Sequence, residues 1–199
     1  MKIYDISQEV YHCYVFPGDP LPQKNIMMKI TDGEICNLSG LSMCVHNGTH
    51  VDAPYHFIDD GKTIDEVPLE KFIGNCYVAQ CQGEVLADKA SQILESAKAA
   101  GADAYKRILI KGKATVTYEA AKVFADGGIC LIGNESQTIG PEDAPKAVHD
   151  LLLGKEIVLL EGIRLEHVPD GSYFLNAAPL NLSGSDGSPV RAVLIDCNN

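Results

Sequence analysis

The segment VHNGTHVDAPYHF, residues 45–57, brings three histidines and one aspartate within eleven positions. The whole chain has only six histidines, so half of them lie in this segment. Imidazole nitrogens and a carboxylate oxygen suit Zn, Mn, Fe or Ni, and three protein ligands beside an open position are typical of a catalytic metal site. A metal held in this way polarises a carbonyl and makes water a nucleophile at neutral pH. The segment therefore indicates metal-dependent hydrolysis.

The same segment is expected to be extended. His46 and His50 are four residues apart, as in helical zinc motifs, but the residues between them are poor helix formers and Pro54 follows closely. In an extended chain the side chains alternate, which places the three imidazoles and the carboxylate on one side. Gly48 has no side chain, so we expect room for a cation close to the backbone there.

Length and composition predict one globular domain spanning residues 1–199, with 46% hydrophobic and 22% charged residues. No apolar run is long enough to cross a bilayer, so no membrane partner is expected. The formal net charge is −11 and no cluster of Lys and Arg occurs, which argues against nucleic acid as a partner. The expected partner is a small molecule.

Seven cysteines are scattered without a CxxC pair, and the first residues lack the apolar core of a secretory signal. These features predict a cytoplasmic protein with reduced, buried thiols. Cys44 lies two residues before His46 and could add a thiolate to the site, but its neighbours LSMCV favour a buried apolar side chain. His12 and His167 stand apart from the other histidines and are given no ligand role.

The secondary-structure elements that must position these residues are of different types in the two parts of the chain. The first third predicts short strands broken by turns, and from residue 76 apolar strands alternate with helices. Helices are predicted over 88–101, 117–128 and 140–155, the second one capped by Thr117 and ended at Gly127. This order predicts an α/β domain whose sheet is at least partly parallel, with an antiparallel β portion at the front.

The spacing HxGTHxDxPxH, from His46 to His56, resembles the signature of the metal-dependent cyclase family that includes bacterial kynurenine formamidase. The segments VFPGDP, AVHDLL, IVLLEGI and LNLSGSDGSPVRAVLI resemble family segments in the same order, so the resemblance covers nearly the whole chain. It implies a swivelling β/β/α fold with a mixed sheet around a central metal site. It also implies one or two divalent ions per subunit, zinc before manganese, and a homodimer or homotetramer.

The resemblance also implies roles that local spacing does not give. Carried over by position, the metal ligands are His46, His50, Asp52, His149 and Glu161. Asp52 and Glu161 would bridge two ions, and His56 would be the acid/base residue. Phe16 would line the apolar part of the substrate, where the aryl-formamide hydrolases of the family carry a tryptophan. Asn134 and Glu135 stand where the family has an Asp-containing stretch.

The reaction implied is hydrolysis of an amide carbon–nitrogen bond, and the narrow hypothesis is an arylformamidase that converts N-formylkynurenine to kynurenine and formate. A lactone or isatin-type lactam hydrolase of the same family is the alternative. From another class, a non-catalytic metal-binding structural protein stays open, although closed structural zinc sites are usually richer in thiolates. The segment SGSDGS, residues 183–188, is not GxSxG and predicts a tight turn between the last two strands.

Overall fold

The structure is a computed structural model and describes residues 1–196. Within this range the chain forms thirteen strands and three α-helices, joined in places by short 3-10 turns. The strands are β1 (Lys2–Asp5), β2 (Gln23–Met28), β3 (Leu38–Ser42), β4 (His50–Asp52), β5 (Ile73–Gln80), β6 (Gly83–Val85), β7 (Arg107–Lys111), β8 (Ala114–Val116), β9 (Leu131–Asn134), β10 (Val158–Glu161), β11 (Gly171–Asn176), β12 (Gly187–Pro189) and β13 (Val193–Asp196). The helices are α1 (Ala87–Ala100), α2 (Tyr118–Asp126) and α3 (Lys146–Gly154).

One curled mixed sheet of nine strands organises the described residues, in the order β1-β13-β11-β5-β7-β9-β10-β4-β12. Its centre, β5-β7-β9-β10, is parallel, as the alternation of strands and helices predicts. The strands flanking this centre are antiparallel. The antiparallel part is therefore built from both ends of the described chain. The front of the chain also supplies a separate antiparallel pair, β2 and β3, as the sequence predicts.

The three helices cover one face of the parallel strands. In α1 the buried residues repeat every three or four positions, and the helix ends before Gly101, whose φ is 158°. Thr117 caps α2, because its side-chain oxygen accepts a hydrogen bond from the Ala120 N–H, and Gly127 follows the last helical residue. Both ends of α2 agree with the prediction from the sequence.

Alternation along the strands divides the interior into two apolar clusters. On β7, Ile108 and Ile110 pack with the helices, whereas Leu109 packs with the cluster on the opposite face. On β10, Leu159 lies on the helix side, and Val158 and Leu160 lie on the other. The strands are buried on both faces, which explains their continuous apolar sequence.

Strands β2 and β3 lie outside the large sheet and pair only with each other in a two-stranded antiparallel sheet. We call residues 21–42, which include both strands and the turn between them, the ribbon. Strands β6 and β8 form a second small sheet, which is parallel.

Three expectations from the sequence are wrong in detail. The segment 45–57 is a strand only over His50–Asp52, because His46 lies in a turn and Pro54 begins a 3-10 turn. The segment 183–188 is more than a turn, since its last two residues belong to β12. The thiols are not all buried: Cys36 is exposed, while Cys197 lies outside the described residues.

Among the described residues, no helix combines the length and apolar character needed to span a membrane.

Candidate metal centre and active site

Strand β4 lies between β10 and β12, and its register decides which side chains meet. His50 is directly opposite Glu161 of β10. Val51 packs in the apolar cluster away from the helices, so its neighbours His50 and Asp52 face the helix side of the sheet. Two strands that are distant in sequence thus bring two carboxylates and an imidazole to one point. His149 approaches the same point from the buried face of α3.

Carboxylate oxygens and imidazole nitrogens alternate at this point. Asp52 Oδ1 is 3.0 Å from His46 Nδ1 and 3.3 Å from His50 Nε2. Glu161 Oε2 is 3.5 Å from His50 Nε2, and Glu161 Oε1 is 3.3 Å from His149 Nε2. Asp52 Oδ2 is 3.7 Å from His149 Nε2 and closes the ring of contacts. The structure therefore brings together all five residues that the resemblance implies as metal ligands.

Hydrogen bonds to the backbone orient two of the imidazoles. His50 Nδ1 is 3.1 Å from the carbonyl oxygen of Gly48, and His149 Nδ1 is 3.0 Å from that of Pro145. An Nδ1–H that donates to a carbonyl leaves the lone pair of Nε2 free to bind a metal. In both residues Nε2 is the nitrogen beside the carboxylates. The carbonyl contacts thus favour the tautomer that a ligand to a cation needs, while the side-chain amide nitrogen of Gln137 also lies 3.2 Å from His50 Nδ1.

The donor set fits a divalent cation. Asp52 Oδ2 is buried and has no hydrogen-bond partner within residues 1–196, although a buried carboxylate oxygen normally has one. Asp52, His149 and Glu161 offer one ligand atom each within 4.8 Å of one another, and so do His46, His50 and Asp52. Imidazole nitrogen and carboxylate oxygen are the ligands that Zn and Mn accept. A cation shared by these groups would satisfy the unpaired oxygen.

Asp186 belongs to the site and was missed from the sequence. Its Oδ2 accepts a hydrogen bond from His46 Nε2 at 2.7 Å and lies 3.2 Å from His56 Nδ1. The segment 183–188 has no clear strand periodicity, and this is why it was predicted to be a turn. The signal available was an aspartate in a segment that resembles the family. Asp186 links a candidate ligand, His46, to the candidate acid/base residue, His56.

The electrostatic environment favours positive charge on His46 and His50, whereas burial lowers the pKa of His56. Burial lowers the pKa of His46, but hydrogen bonds with Asp186 and Asp52 outweigh it and raise the pKa to about 9. Burial acts on His50 in the same sense, and hydrogen bonds with Asp52 and Glu161 raise its pKa to about 10. The hydrogen bond from His46 lowers the pKa of Asp186 to about 2. The buried carboxylates therefore stabilise a cation beside them.

Gly48 has a different role from the one expected. Its φ is +65°, and a Cβ at this position would lie 2.9 Å from the Cβ of Cys13. The space that the sequence suggested for a cation is filled by Cys13. The next residue, Thr49, donates a hydrogen bond to the Gly162 carbonyl oxygen at 2.8 Å. Gly48 thus permits a tight turn that carries His46 back toward His50.

A cavity of about 210 Å³ opens onto this centre. Phe16 and Phe57 line it together with the four site histidines, His46, His50, His56 and His149. Phe16 therefore lies where an apolar wall is expected. His56 is the most accessible of these imidazoles, with 29% of its side chain exposed, against 13% for His46 and 2% for His50. A substrate in the cavity would meet His56.

Asn134 and Glu135, at the position of the departure from the family, do not line this cavity. Asn134 is buried and donates a hydrogen bond to the Thr138 carbonyl oxygen. Glu135 accepts hydrogen bonds from the backbone N–H groups of Gly112 and Leu165. Both side chains hold backbone segments together. A larger groove of about 1130 Å³ includes Glu135 but none of the candidate ligands, so its volume does not make it the reaction site.

The remaining candidates stay outside the centre. Burial raises the pKa of the Cys44 thiol, which opposes thiolate formation, and Cys44 is not in the groups of converging ligand atoms found within residues 1–196. His12 is exposed and lies 2.6 Å from Glu9. His167 is exposed as well. All three residues lie apart from the groups of converging ligand atoms found within residues 1–196.

Comparison with known proteins gives one consistent group. The family model described as "putative cyclase" matches residues 4–141. A kynurenine formamidase from Salinibacter ruber is 34% identical over 98% of this chain and 98% of its own length. A solved structure described as a potential metal-dependent hydrolase with cyclase activity is 28% identical, has a TM-score of 0.79 and covers 97% of this chain and 96% of the other. Isatin hydrolase A from Labrenzia aggregata has the same fold, with a TM-score of 0.82 at 21% identity over 97% of this chain and 93% of the other.

Proposed function

The chain belongs to the putative cyclase family, and on this premise we propose that it is a metal-dependent amide hydrolase of the arylformamidase type. One observation carries the proposal: two buried carboxylates and three imidazoles converge at the base of a cavity with aromatic walls. A site of this kind places a cation, a proton-transferring group and an apolar surface next to one another.

We propose that a divalent metal, as one ion or two, would be held by His46, His50, Asp52, His149 and Glu161. A divalent metal in this place supplies Lewis-acid polarisation of the substrate carbonyl and activation of water. Zinc is the first choice and manganese the second, because imidazole and carboxylate ligands suit both. The unpaired oxygen of Asp52 and the inward Nε2 atoms of His50 and His149 support this assignment.

His56 is proposed to carry the proton. It lines the cavity, and its Nδ1 lies beside Asp186 Oδ2. When Nδ1–H donates to this carboxylate, the ring presents Nε2 for exchange of a proton with the substrate. The proton delivered by His56 converts the departing nitrogen into a neutral amine, which is a far better leaving group than an amide anion. Asp186 orients the ring for this transfer.

The proposed substrate is a small N-acyl arylamine, with N-formylkynurenine as the specific hypothesis. Phe16 and Phe57 offer the apolar surface against which an aryl ring would pack. The cavity of about 210 Å³ is below the usual range of about 300 to 1,000 Å³ for drug-sized ligands, which favours a small acyl group next to the histidines. The kynurenine formamidase relatives support the same choice.

Elemental analysis and a substrate panel test this function. We expect bound zinc or manganese in the purified protein and turnover of N-formylkynurenine that is lost with chelator and recovered with metal. Isatin and simple lactones form the control arm of the panel, and turnover of isatin without turnover of N-formylkynurenine would replace the narrow hypothesis by lactam hydrolysis. A protein that unfolds when its metal is removed and turns over none of these substrates would instead be a structural metal-binding protein.

The broader expectations about the protein's setting are also proposals. The lack of disulfide-style cysteine spacing supports a cytoplasmic location, in which thiols stay reduced. We further propose that the chain assembles as a homodimer or homotetramer. Native mass spectrometry of the purified protein measures the assembly directly.

A further inference from the structure

Two glutamine side chains, Gln8 and Gln137, lie against the backbone of the candidate metal centre. We call them the amide pair. Gln137 lines the cavity and is only 7% exposed, and Gln8 is half-buried. Gln8 Nε2 donates a hydrogen bond to Gln137 Oε1 at 3.3 Å. Burying an amide costs free energy unless its donors and acceptors are paired, so the other partners of the amide pair indicate its role.

The amide pair uses all four of its N–H groups. Gln137 Nε2 donates to the carbonyl oxygen of His46 at 3.0 Å and to that of Gly48. Gln8 Nε2 donates to the carbonyl oxygen of Gly162 at 2.8 Å, in addition to its hydrogen bond with Gln137. His46 is a candidate ligand, and Gly162 directly follows another one in the chain. The amide pair therefore holds the backbone on both sides of the centre.

Backbone groups fix the direction of these hydrogen bonds. At one end, the N–H of Tyr14 can only donate, and it donates to Gln8 Oε1 at 2.8 Å. At the other end, the carbonyl oxygens can only accept, and they face Gln137 Nε2. Each amide group can thus satisfy its partners in only one of its two orientations. The orientation of Gln137 is set by Gln8, and that of Gln8 is set by the backbone.

The amide pair acts on His50 through the carbonyl oxygen of Gly48. This oxygen accepts from His50 Nδ1 at 3.1 Å as well as from Gln137 Nε2. Because carbonyl oxygens take both N–H groups of Gln137, neither is left to donate to His50 Nδ1, which lies 3.2 Å from Gln137 Nε2. Nδ1 therefore keeps its own hydrogen, and Nε2 presents its lone pair beside the carboxylates.

The amide pair also reaches the wall of the cavity. Tyr14 is held on both sides, because its N–H donates to Gln8 and its carbonyl oxygen accepts a hydrogen bond from the Gly48 N–H at 3.2 Å. Two residues later in the chain, Phe16 lines the cavity. The turn that carries the candidate ligands and the segment that carries the apolar wall are thus fixed to each other.

Close packing leaves space for the amide pair at the expense of a side chain. Gly162 has a φ of +68°, and a Cβ at this position would lie 2.6 Å from Gln8 Nε2 and 2.8 Å from Gln137 Oε1. Both atoms belong to the hydrogen bond between the two glutamines. A residue without a side chain is therefore needed beside this hydrogen bond.

We propose that Gln8 and Gln137 are positioning residues of the hydrolase. Gln137 presets His50 for binding a divalent cation, and Gln8 holds both Gln137 and the segment that leads to Phe16. The proposal rests on the proposed metal centre, and neither amide touches the substrate in it. Polar groups that orient metal ligands in this way change the affinity for the metal by about 10- to 100-fold when they are substituted.

Titration of the metal-free protein with zinc, in competition with a chromogenic chelator, tests the proposal. Gln137→Met retains the length of the side chain but removes its donors, and should raise the zinc dissociation constant by about 10- to 100-fold. Gln8→Met acts through Gln137 and should raise it by about 3- to 10-fold. Combining both substitutions should raise it by less than the product of the single effects, because the two residues act as a unit. Gln80→Met is the matched control and should change nothing, since Gln80 Nε2 also donates to two backbone carbonyls, those of Cys81 and Lys111, but lies outside the cavity.

Urea denaturation of each variant in the presence of chelator separates positioning from a purely structural role. If Gln137→Met lowers the free energy of unfolding but the folded variant binds zinc as tightly as the wild type, the proposal is wrong. It is equally wrong if Gln80→Met weakens zinc binding to the same extent, or if the wild type binds neither zinc nor manganese. Should Gln137→Met fail to fold, the zinc affinity of Gln8→Met decides the question.

Steady-state kinetics with N-formylkynurenine give a second measurement. Gln8→Met should raise KM by about 5-fold and lower kcat by a smaller factor, because the segment that leads to Phe16 loses its support. Zinc affinity is measured without substrate, so the two proposals fail independently. A protein that turns over no amide but loses zinc affinity in Gln137→Met supports the positioning role and contradicts only the hydrolase function.

Discussion

At the junction of β4 and β10, the residues Asp52, Glu161 and His50 are only 1 to 2% exposed, whereas in the ribbon Met27 is 66% exposed and Ile35 is 92% exposed. One region buries charge and the other exposes apolar surface. Each arrangement costs free energy when the isolated chain is considered alone. A bound cation would offset this cost in the first region, and a covering surface would offset it in the second. In both regions, side chains lie in surroundings that are unfavourable for the isolated chain. The comparison teaches that this one criterion identifies both candidate functional surfaces.

Removing one buried carboxylate should have the largest effect. Asp52→Asn retains the shape of the side chain but removes the charge shared by His46, His50 and His149. We expect loss of bound metal and a fall in kcat/KM on the order of 10³-fold or more, because the Lewis acid contributes several kcal/mol. Elemental analysis and steady-state kinetics measure the two effects. Asp60→Asn, at an exposed position, is the control and should change neither. Full activity in Asp52→Asn would contradict the proposed centre.

Removing the proton carrier should have the second largest effect. His56→Asn should lower kcat by about 10²- to 10⁴-fold while the metal content stays at the wild-type level. His12→Asn removes an exposed histidine and should have no effect on either quantity. If the metal content of His56→Asn falls together with its activity, His56 is a ligand instead of a proton carrier.

The smallest expected effect is a difference between the two regions in how much a glycine substitution lowers the free energy of unfolding. Gly33 in the ribbon and Gly48 beside the site both have positive φ, +92° and +65°, but only Gly48 has a neighbour within contact of an added Cβ. Gly33→Ala should lower the free energy of unfolding by about 1 kcal/mol from backbone strain. Gly48→Ala adds overlap with Cys13 and should cost about 3 kcal/mol. Urea denaturation in the presence of chelator measures both. If both variants lose the same free energy of unfolding, the side chain of Cys13 moves aside without adding strain.

Local patterns gave α1 and α2 well, whereas α3 begins at Lys146, six residues later than predicted. In α1 and α2 the apolar spacing, the Thr117 cap and the glycines after the last turns are all contained in short windows. The parallel centre of the sheet followed from the alternation of strands and helices. Such elements are decided by neighbours in the sequence, and they could be predicted from it.

The assembly of the site depends on distant parts of the chain. Glu161 meets His50 across 111 positions because β10 and β4 pair in one register, and no local pattern encodes that register. His149 and Glu161 were available only through the resemblance to a family. Asp186 and β12 escaped notice because a three-residue strand of Gly, Ser and Pro has no periodicity to detect. The extended prediction for 45–57 failed on both sides of β4, where Gly48 and Pro54 impose turns.

The order in which the site residues occur along the chain has a consequence for biosynthesis. The strand that carries His50 and Asp52 is made early, yet in the folded sheet it is held between β10 and β12, which are made much later. A ribosome that has translated the whole histidine-rich signature has therefore produced a nascent polypeptide with unpaired strand edges on both sides of it. The proposed set of metal ligands is complete only when Glu161 has been translated, and a premature stop codon between residues 57 and 161 leaves the signature intact but the site unassembled.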